Sequence, residues 1–358
     1  MVNIVVMAGG KGERFWPKSL RSMPKQFHKI VSDKTMIQET FYRIYPEIDK
    51  KNIYFIANKN LSKLIKSQIP EVSDNNMIIE PFGKNTAAAI GLAATYIKRN
   101  DPNGVMVILT ADHVVKPKEE FLKAIDVASK VAEKGYLVTF GITPDRPATE
   151  YGYIEVDNKL DDKYDLDVYK VRMFREKPDL ETAKSFLEKG KFFWNSGMFA
   201  FKVSTILNEI ERHVPKLYTG LSKIDKSIGT RDEEDIKSTE FEKFDDVSID
   251  YAVMEKAESI ACVIPRYEWD DVGSWNGLYR HRKGDENGNI VEGNAVLVDS
   301  RDAIVLGDTN SMVAAVGLDG IIVIKNGDRI LVCNKDKDQL VKKAIKLMEG
   351  NPDFRKYL

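Results

Sequence analysis

The chain has 358 residues, 30% of them charged and 43% hydrophobic, with a formal net charge of −1 at pH 7. This length allows one large domain plus a smaller one, and the near-neutral charge argues against a general nucleic-acid binder, which presents a broad basic face. Its 2 cysteines show no metal-ligand spacing, and no apolar run approaches the ~20 residues that span a bilayer. We therefore expect a cytoplasmic protein that binds neither membranes nor nucleic acid.

Apolar strand patterns alternate with helical patterns through most of residues 1–284. Strands are predicted at 2–7, 53–57, 77–80, 105–111, 137–142, 168–174, 198–202 and 260–265. Helices are predicted at 35–44, 86–99, 121–134, 180–188, 204–212 and 249–256, and the charged stretch 222–242 predicts a solvated helix. This alternation predicts an α/β domain with a mainly parallel, Rossmann-like sheet, whose ligands bind beyond the carboxyl ends of the strands.

The composition changes after residue 284, where a turn-rich stretch precedes short apolar runs. These runs start about eight or nine residues apart, at 295–298, 303–306, 312–316, 321–324 and 330–333. The spacing predicts a small β-roll or left-handed β-helix over residues 285–358, closed by a helix at 340–348. Whether this part mediates a homodimer or closes the site is left open by the sequence.

A glycine-rich turn follows the first predicted strand. Residues 8–14 read Ala-Gly-Gly-Lys-Gly-Glu-Arg, and six Lys or Arg side chains lie between 11 and 29 against the single acid Glu13. Glycines let backbone N–H groups approach a ligand, and the cations suit a polyphosphate. The P-loop pattern is absent, and Phe15 occupies the third glycine position of the dinucleotide fingerprint, which argues against an NAD-type binder. We expect the loop, with Ala8, Gly9, Gly10 and Gly12, to close over a triphosphate.

The full string Gly-Gly-Lys-Gly-Glu-Arg-Phe-Trp-Pro-Lys-Ser, followed by Pro-Lys-Gln-Phe at 24–27, resembles the signature of the sugar-1-phosphate nucleotidyltransferases. It is most similar to their mannose-1-phosphate guanylyltransferase branch. The resemblance implies that Arg14 and Lys25 are catalytic cations. Glu13 and Lys18 depart from the usual residues, and we expect Glu13 to point to solvent or to a cation.

Two aspartates are candidate metal ligands. A buried strand pattern ends at Asp112, and Mg²⁺ prefers oxygen ligands of this kind, although an aspartate in this position also suits a helix N-cap or a turn. The second candidate lies in Trp-Asp-Asp-Val-Gly at 269–273. The resemblance implies that Asp112 and Asp271 bind Mg²⁺, whereas Asp270 is structural.

Four further strings match the family in order and approximate spacing. The segment from Glu80 to Ala89 enters a helix rich in small residues, and the resemblance implies that Glu80, Asn85 and Thr86 contact the nucleotide. From the residues alone, Glu80 suits an ion pair with Lys84 equally well. Guanine presents N1–H and an exocyclic amine, so its site needs acceptors, which a carboxylate supplies. The other three strings imply a sugar-phosphate site formed by Tyr151, Gly152, Glu176, Lys177 and Asn195.

The reaction implied by the resemblance is the transfer of GMP from GTP to mannose 1-phosphate, which yields GDP-mannose and pyrophosphate. Two alternatives remain open at this point. One is another hexose-1-phosphate nucleotidyltransferase with UTP, dTTP or ATP, and the other is a non-catalytic regulatory homologue that holds a nucleotide-sugar. An enzyme is favoured by the presence of Arg14, Lys25, Asp112 and Asp271. The unusual Glu13 leaves the non-catalytic homologue as an alternative.

Overall fold

The computed structural model describes residues 1–160 and 163–358. The chain divides into two compact units. The first unit comprises Met1–Gly9, Phe41–Ala111 and Val115–Trp269, and the second comprises Gly10–Thr40, Asp112–Val114 and Asp270–Leu358.

Eleven described strands precede the C-terminal part. They are β1 (Val2–Met7), β2 (Ile53–Asn58), β3 (Met77–Glu80), β4 (Val105–Thr110), β5 (Val114–Lys116), β6 (Leu137–Ile142), β7 (Tyr153–Lys159), β8 (Asp167–Arg175), β9 (Phe192–Lys202), β10 (Ile260–Ile264) and β11 (Glu268–Asp270). Nine of them form one sheet of the first unit, in the order β3-β2-β1-β4-β9-β6-β10-β8-β7. Strands β1 to β4 pair in parallel, whereas β9 runs antiparallel to both β4 and β6.

Helices cover this sheet. They are α1 (Met36–Ile44), α2 (Lys59–Gln68), α3 (Asn85–Asn100), α4 (Lys118–Glu133), α5 (Leu180–Lys189), α6 (Val203–His213), α7 (Pro215–Ser227) and α8 (Glu233–Lys243), with a π-helix at Asp250–Met254. The small residues of α3 allow close packing: a Cβ on Gly91 would lie 2.6 Å from a methyl carbon of Leu221 in α7. The predicted α/β class is therefore confirmed.

The prediction of one solvated helix over 222–242 is wrong. The segment instead forms the end of α7 and most of α8, and both helices bury apolar side chains, such as Ile224 and Phe241. Lys237 is buried as well, and its ammonium donates to Glu234 at 2.7 Å. The high charge of the segment hid this buried face from the sequence analysis. The hydrocarbon stem of a lysine can pack in the core while its ammonium pairs with a carboxylate.

The second unit carries the C-terminal strands. They are β12 (Ile290–Glu292), β13 (Ala295–Val298), β14 (Ile304–Leu306), β15 (Val313–Val316), β16 (Ile321–Asn326) and β17 (Arg329–Asn334), followed by α9 (Val341–Gly350). Strands β12, β14 and β16 pair in parallel with β17 antiparallel at the edge, and β13 pairs in parallel with β15. The predicted β-helix-like domain is confirmed, and its core includes Phe15, Trp275 and Ile322.

Candidate active site

From Gly10 onwards the glycine-rich loop belongs to the second unit, and Gly12 shapes it. This residue has φ +58°, and a Cβ built on it would lie 2.4 Å from the Cβ of Lys25, so only glycine fits. Side chains fix the loop further: Ser19 Oγ donates to the Lys11 carbonyl at 3.0 Å, and Gln26 Nε2 donates to the Gly10 carbonyl at 3.1 Å. The loop thus holds Lys25 at a fixed position.

Three oxygen atoms surround the Lys25 ammonium. Its Nζ is 2.8 Å from Asp112 Oδ2, 2.8 Å from the Asp271 carbonyl oxygen and 3.2 Å from the Val272 carbonyl oxygen. Its side chain is only 4% exposed. Desolvation would raise the pKa of Asp112, but the charges of Lys25 and His113 together with hydrogen bonds outweigh it and hold this pKa below its usual value. The structure therefore brings the predicted Lys25, Asp112 and Asp271 together.

The Asp271 turn is strained. Val272 is buried with φ +43°, a conformation that a β-branched residue rarely adopts. Asp270 holds it there: its Oδ1 accepts from the Val272 amide at 2.7 Å, and its carboxylate also pairs with Arg280 and His281. These hydrogen bonds lower the pKa of Asp270 even though burial opposes the shift. Asp270 is thus a structural residue that aims two carbonyl groups at Lys25.

Arg14 and Glu13 follow the glycines in the short helix Glu13–Phe15. Arg14 Nη1 donates to the Gly273 carbonyl at 3.4 Å, which places this cation next to the Asp271 turn. Glu13 Oε2 lies 4.0 Å from the ammonium of Lys342 in α9. The expectation that Glu13 faces a cation is confirmed, so its negative charge is balanced within the second unit.

The base-side candidates Ala8, Gly9 and Glu80 lie in the first unit. Glu80 ends β3, and its Oε2 lies 3.6 Å from where a Gly9 Cβ would stand. Glu80 is only 6% exposed, and its carboxylate has no hydrogen bond or ion pair among the described residues. Burial raises the pKa of Glu80 to about 7. A buried carboxylate without a partner next to bare backbone marks a place for a hydrogen-bond donor from a ligand.

Asn85 and Thr86 begin α3, and their side chains form hydrogen bonds to other residues of the protein. Asn85 has φ +65°, and its Nδ2 donates to Asp246 at 3.0 Å. Thr86 Oγ1 accepts from the Ile249 amide at 2.8 Å. Both residues therefore anchor the segment 246–249, and Glu80 is the better placed of the three for direct contact with a base.

The sugar-side candidates also meet in the first unit. Glu176 Oε1 accepts from Lys177 Nζ at 2.8 Å, and a Cβ on Gly152 would lie only 2.3 Å from Glu176 Oε2. Lys177 has φ +44°, and its side chain is 58% exposed. Desolvation opposes the charge of Lys177, but Glu176 raises its pKa overall. Tyr151 instead packs edge-on against Trp194, with ring centroids 5.0 Å apart, and is largely buried.

Asp250 lies beside these sugar-side candidates, and the sequence did not single it out. It opens the π-helix, and its Oδ1 accepts from Asn195 Nδ2 at 2.9 Å. Burial and then the negative charge of Glu176 raise its pKa to about 6. No motif flagged Asp250, because it lies inside a predicted helix and its partners are distant in the sequence.

The two candidate metal ligands, Asp112 and Asp271, carry carboxylates, and Mg²⁺ typically takes one or two carboxylates plus phosphate oxygens. In the structure the Lys25 ammonium pairs with the Asp112 carboxylate, and Asp271 Oδ1 accepts from the Gly273 amide at 3.1 Å. Among the described residues, no group of three or more His, Cys, Asp or Glu side chains is arranged to hold a metal ion. The two carboxylates fit a divalent ion in their chemistry, and substrate phosphates would have to complete its coordination.

Comparisons with known proteins identify the family. Residues 3–288 match the family described as "Nucleotidyl transferase". The chain belongs to this family. Residues 293–348 match "MannoseP isomerase/GMP-like beta-helix domain". Members of the nucleotidyl transferase family generally use a divalent metal ion.

Several individual proteins are similar over nearly the whole chain. "Mannose-1-phosphate guanylyltransferase" of Klebsiella pneumoniae is 37% identical, and the match covers 97% of this chain and 74% of that protein. "Alginate biosynthesis protein AlgA" of Pseudomonas syringae pv. tomato is 36% identical over 99% of this chain and 74% of the relative.

A solved structure from Thermus thermophilus, titled as a "mannose-1-phosphate geranyltransferase", matches with a TM-score of 0.86 and 32% identity, over 97% of this chain and 99% of that one. None of the helices in the described residues has the length and apolar character needed to cross a membrane.

Proposed function

We propose that this nucleotidyl transferase transfers GMP from GTP to mannose 1-phosphate, giving GDP-mannose and pyrophosphate. The observation that carries the proposal is the match, over 97% of this chain, to a relative named mannose-1-phosphate guanylyltransferase. The partnerless Glu80 carboxylate adds a chemical argument for guanine. A carboxylate can accept hydrogen bonds from both N1–H and the exocyclic amine of guanine, whereas adenine offers an acceptor at N1.

The nucleophile in this proposal is an oxygen of the sugar phosphate. A phosphate monoester has a second pKa near 6 and is already mostly a dianion at neutral pH, so no general base is needed. Catalysis then depends on alignment and on neutralising charge. At 4 Å and an effective dielectric constant of about 20, each pair of like unit charges costs about 4 kcal/mol.

The cations of the chain would lower that cost. We assign Arg14 and Lys25 to the triphosphate, and Lys177 to the sugar phosphate beside Glu176. Asp112 and Asp271 would hold Mg²⁺, which supplies further positive charge next to the phosphates. The nucleotide backbone would approach the chain at Gly9, Gly10 and Gly12, where no side chain intervenes. We place the enzyme in the cytoplasm, in keeping with its unpaired cysteines Cys262 and Cys333.

A panel assay tests this function. The purified chain is incubated with Mg²⁺, each of GTP, ATP, UTP and dTTP, and either mannose 1-phosphate or glucose 1-phosphate, and pyrophosphate release is measured. We expect the highest kcat/KM for GTP with mannose 1-phosphate. A different preferred pair would make the chain another hexose-1-phosphate nucleotidyltransferase, and no release with any pair would favour a non-catalytic binding protein.

A further inference from the structure

Both the oxygen and the nitrogen of the Asn195 side-chain amide form hydrogen bonds within the protein. Its Oδ1 accepts from Thr139 Oγ1 at 3.0 Å and from the Gly197 amide at 3.2 Å. Its Nδ2 therefore points the other way and donates to Asp250 Oδ1 at 2.9 Å. Because two donors fix the oxygen, the orientation of the amide is settled by its neighbours. Asn195 thus holds the Asp250 carboxylate in one position.

Glu176 places a second carboxylate close to Asn195 and Asp250. Its side chain is only 9% exposed, and its Oε2 is buried with no hydrogen-bond partner among the described residues. This oxygen lies directly above Gly152, where a Cβ would come within 2.3 Å of it. The Glu176 backbone is held too, since its N–H donates to Glu255 Oε1 at 3.0 Å. A buried acceptor that is held in place without a donor points to a donor on a ligand.

The cluster formed by Glu176, Lys177 and Asp250 favours a ligand that carries hydroxyl groups. Two carboxylates that lie close enough for Glu176 to perturb Asp250 repel a phosphate, yet they accept hydrogen bonds from neutral O–H groups. The exposed ammonium of Lys177 is the nearby group that suits a phosphate. A ligand that carries several hydroxyls on a ring and one phosphate satisfies both ends of the cluster.

We propose that Asp250, together with Glu176, binds ring hydroxyls of the hexose phosphate, and that Asn195 is the positioning residue for Asp250. This inference rests on the proposed function and deepens it, since it adds a hexose-binding carboxylate to that site. Gly152 has no side chain, and this makes room for Glu176 Oε2 beside its backbone.

The test is Asp250→Asn, which keeps the size of the side chain and an oxygen that can still accept from Asn195. Steady-state kinetics are measured with mannose 1-phosphate and with its 2-deoxy, 3-deoxy and 4-deoxy forms. We expect the KM for mannose 1-phosphate to rise by about tenfold or more while the KM for GTP stays within about twofold, because a hydrogen bond to a charged acceptor is lost. For the analogue that lacks the hydroxyl bound by Asp250, the variant and the parent chain should have the same KM.

Asp245→Asn is the matched control. Asp245 lies in the same stretch, is largely exposed and pairs with Lys216 on the surface, so the change should leave every KM unaltered. Asn195→Ala should raise the KM for the same sugars as Asp250→Asn, without an additional loss in the double variant. If Asp250→Asn does not fold, as judged by thermal unfolding, Glu176→Gln is measured against the same sugars.

The outcomes separate this inference from the proposed function. An equal loss for mannose 1-phosphate and all three deoxy forms would make Asp250 merely structural, and no loss would remove it from the site. If the parent chain turns over no substrate pair, the proposed function fails, and the same variants are compared by calorimetric binding of mannose 1-phosphate. Binding that weakens only for hydroxyl-bearing sugars would still support Asp250, and absence of binding would overturn both proposals.

Discussion

The ammonium of Lys25 and the carboxylate of Asp112 form an ion pair with an Nζ–Oδ2 distance of 2.8 Å. The same ammonium donates to the carbonyl groups of Asp271 and Val272. One cation thus joins the glycine-rich loop, the short segment Asp112–Val114 and the Asp271 turn. Each of these three strings was identified separately in the sequence, and their meeting within the second unit makes Lys25 the residue on which the proposed chemistry most depends.

Replacing Lys25 with Met should lower kcat by at least about tenfold, which corresponds to about 1.4 kcal/mol of activation free energy. Methionine retains apolar bulk beside Phe15, whose ring centroid lies 5.5 Å from the ammonium, but it removes the charge. The measurement is steady-state turnover on protein shown to be folded. Lys343→Met, at an exposed position in α9, is the control and should leave kcat unchanged. Turnover close to that of the parent chain in Lys25→Met would contradict the role of Lys25.

The adjacent Asp270 and Asp271 should respond differently to the same substitution. Asp271→Asn should lower kcat by at least about tenfold with unchanged thermal stability, since it removes a charge that we propose holds the metal ion. Asp270→Asn should instead lower the free energy of unfolding by about 2 kcal/mol, because its carboxylate receives hydrogen bonds from Arg280 and the Val272 amide. Denaturant unfolding together with turnover measurements checks both variants. A stable, inactive Asp270→Asn paired with a fully active Asp271→Asn would reverse the assignment.

Glu80→Gln should shift the preferred base from guanine towards adenine. A glutamine presents one acceptor and one donor, which complements the amine and N1 of adenine and mismatches the two donors of guanine. We expect the ratio of kcat/KM for GTP over ATP to fall by at least about tenfold. Glu258→Gln, at an exposed position, is the control and should keep the ratio of the parent chain. An unchanged ratio in Glu80→Gln would place the base elsewhere.

The same carboxylate predicts a pH dependence of base binding. Burial raises the pKa of Glu80 to about 7, so below that pH the side chain is mostly protonated and loses one acceptor. The affinity for guanosine, which carries no titrating phosphate, should fall about tenfold for each pH unit below 7 and be constant above pH 8. Calorimetry between pH 5.5 and 8.5 measures this. Glu80→Gln should bind weakly with no pH dependence in this range, and a flat profile in the parent chain would contradict the assignment.

Most of the fold could be predicted from local sequence patterns. Strands β3 and β6 have the predicted bounds, and the apolar runs after residue 290 correspond to β13 to β17. Strand β9 starts at Phe192 rather than at 198, because glycine and polar residues between Trp194 and Gly197 resemble a turn. In the sheet these residues pair with β6 and β7, so tertiary pairing overrides the local signal.

The candidate site was predictable where a motif is contiguous and not where it is assembled from distant residues. The short strings around Lys25, Asp112 and Asp271 could be recognised by their resemblance to a family signature. Asp250 could not be recognised in this way, because its interest comes from its neighbours Asn195 and Glu176. These residues are close to Asp250 only in the folded chain. Side-chain partners were likewise beyond the sequence: Asn85 and Thr86 form hydrogen bonds to Asp246 and to the Ile249 amide.

The most direct test of GMP transfer follows the phosphorus atoms of the nucleotide. The chain is incubated with mannose 1-phosphate, Mg²⁺ and GTP labelled separately at the α- and γ-phosphates, and the products are separated. The account predicts that the α-label appears in GDP-mannose and the γ-label in pyrophosphate, in equal amounts. Recovery of the γ-label in orthophosphate or on the sugar, with no α-label in a sugar nucleotide, would contradict it.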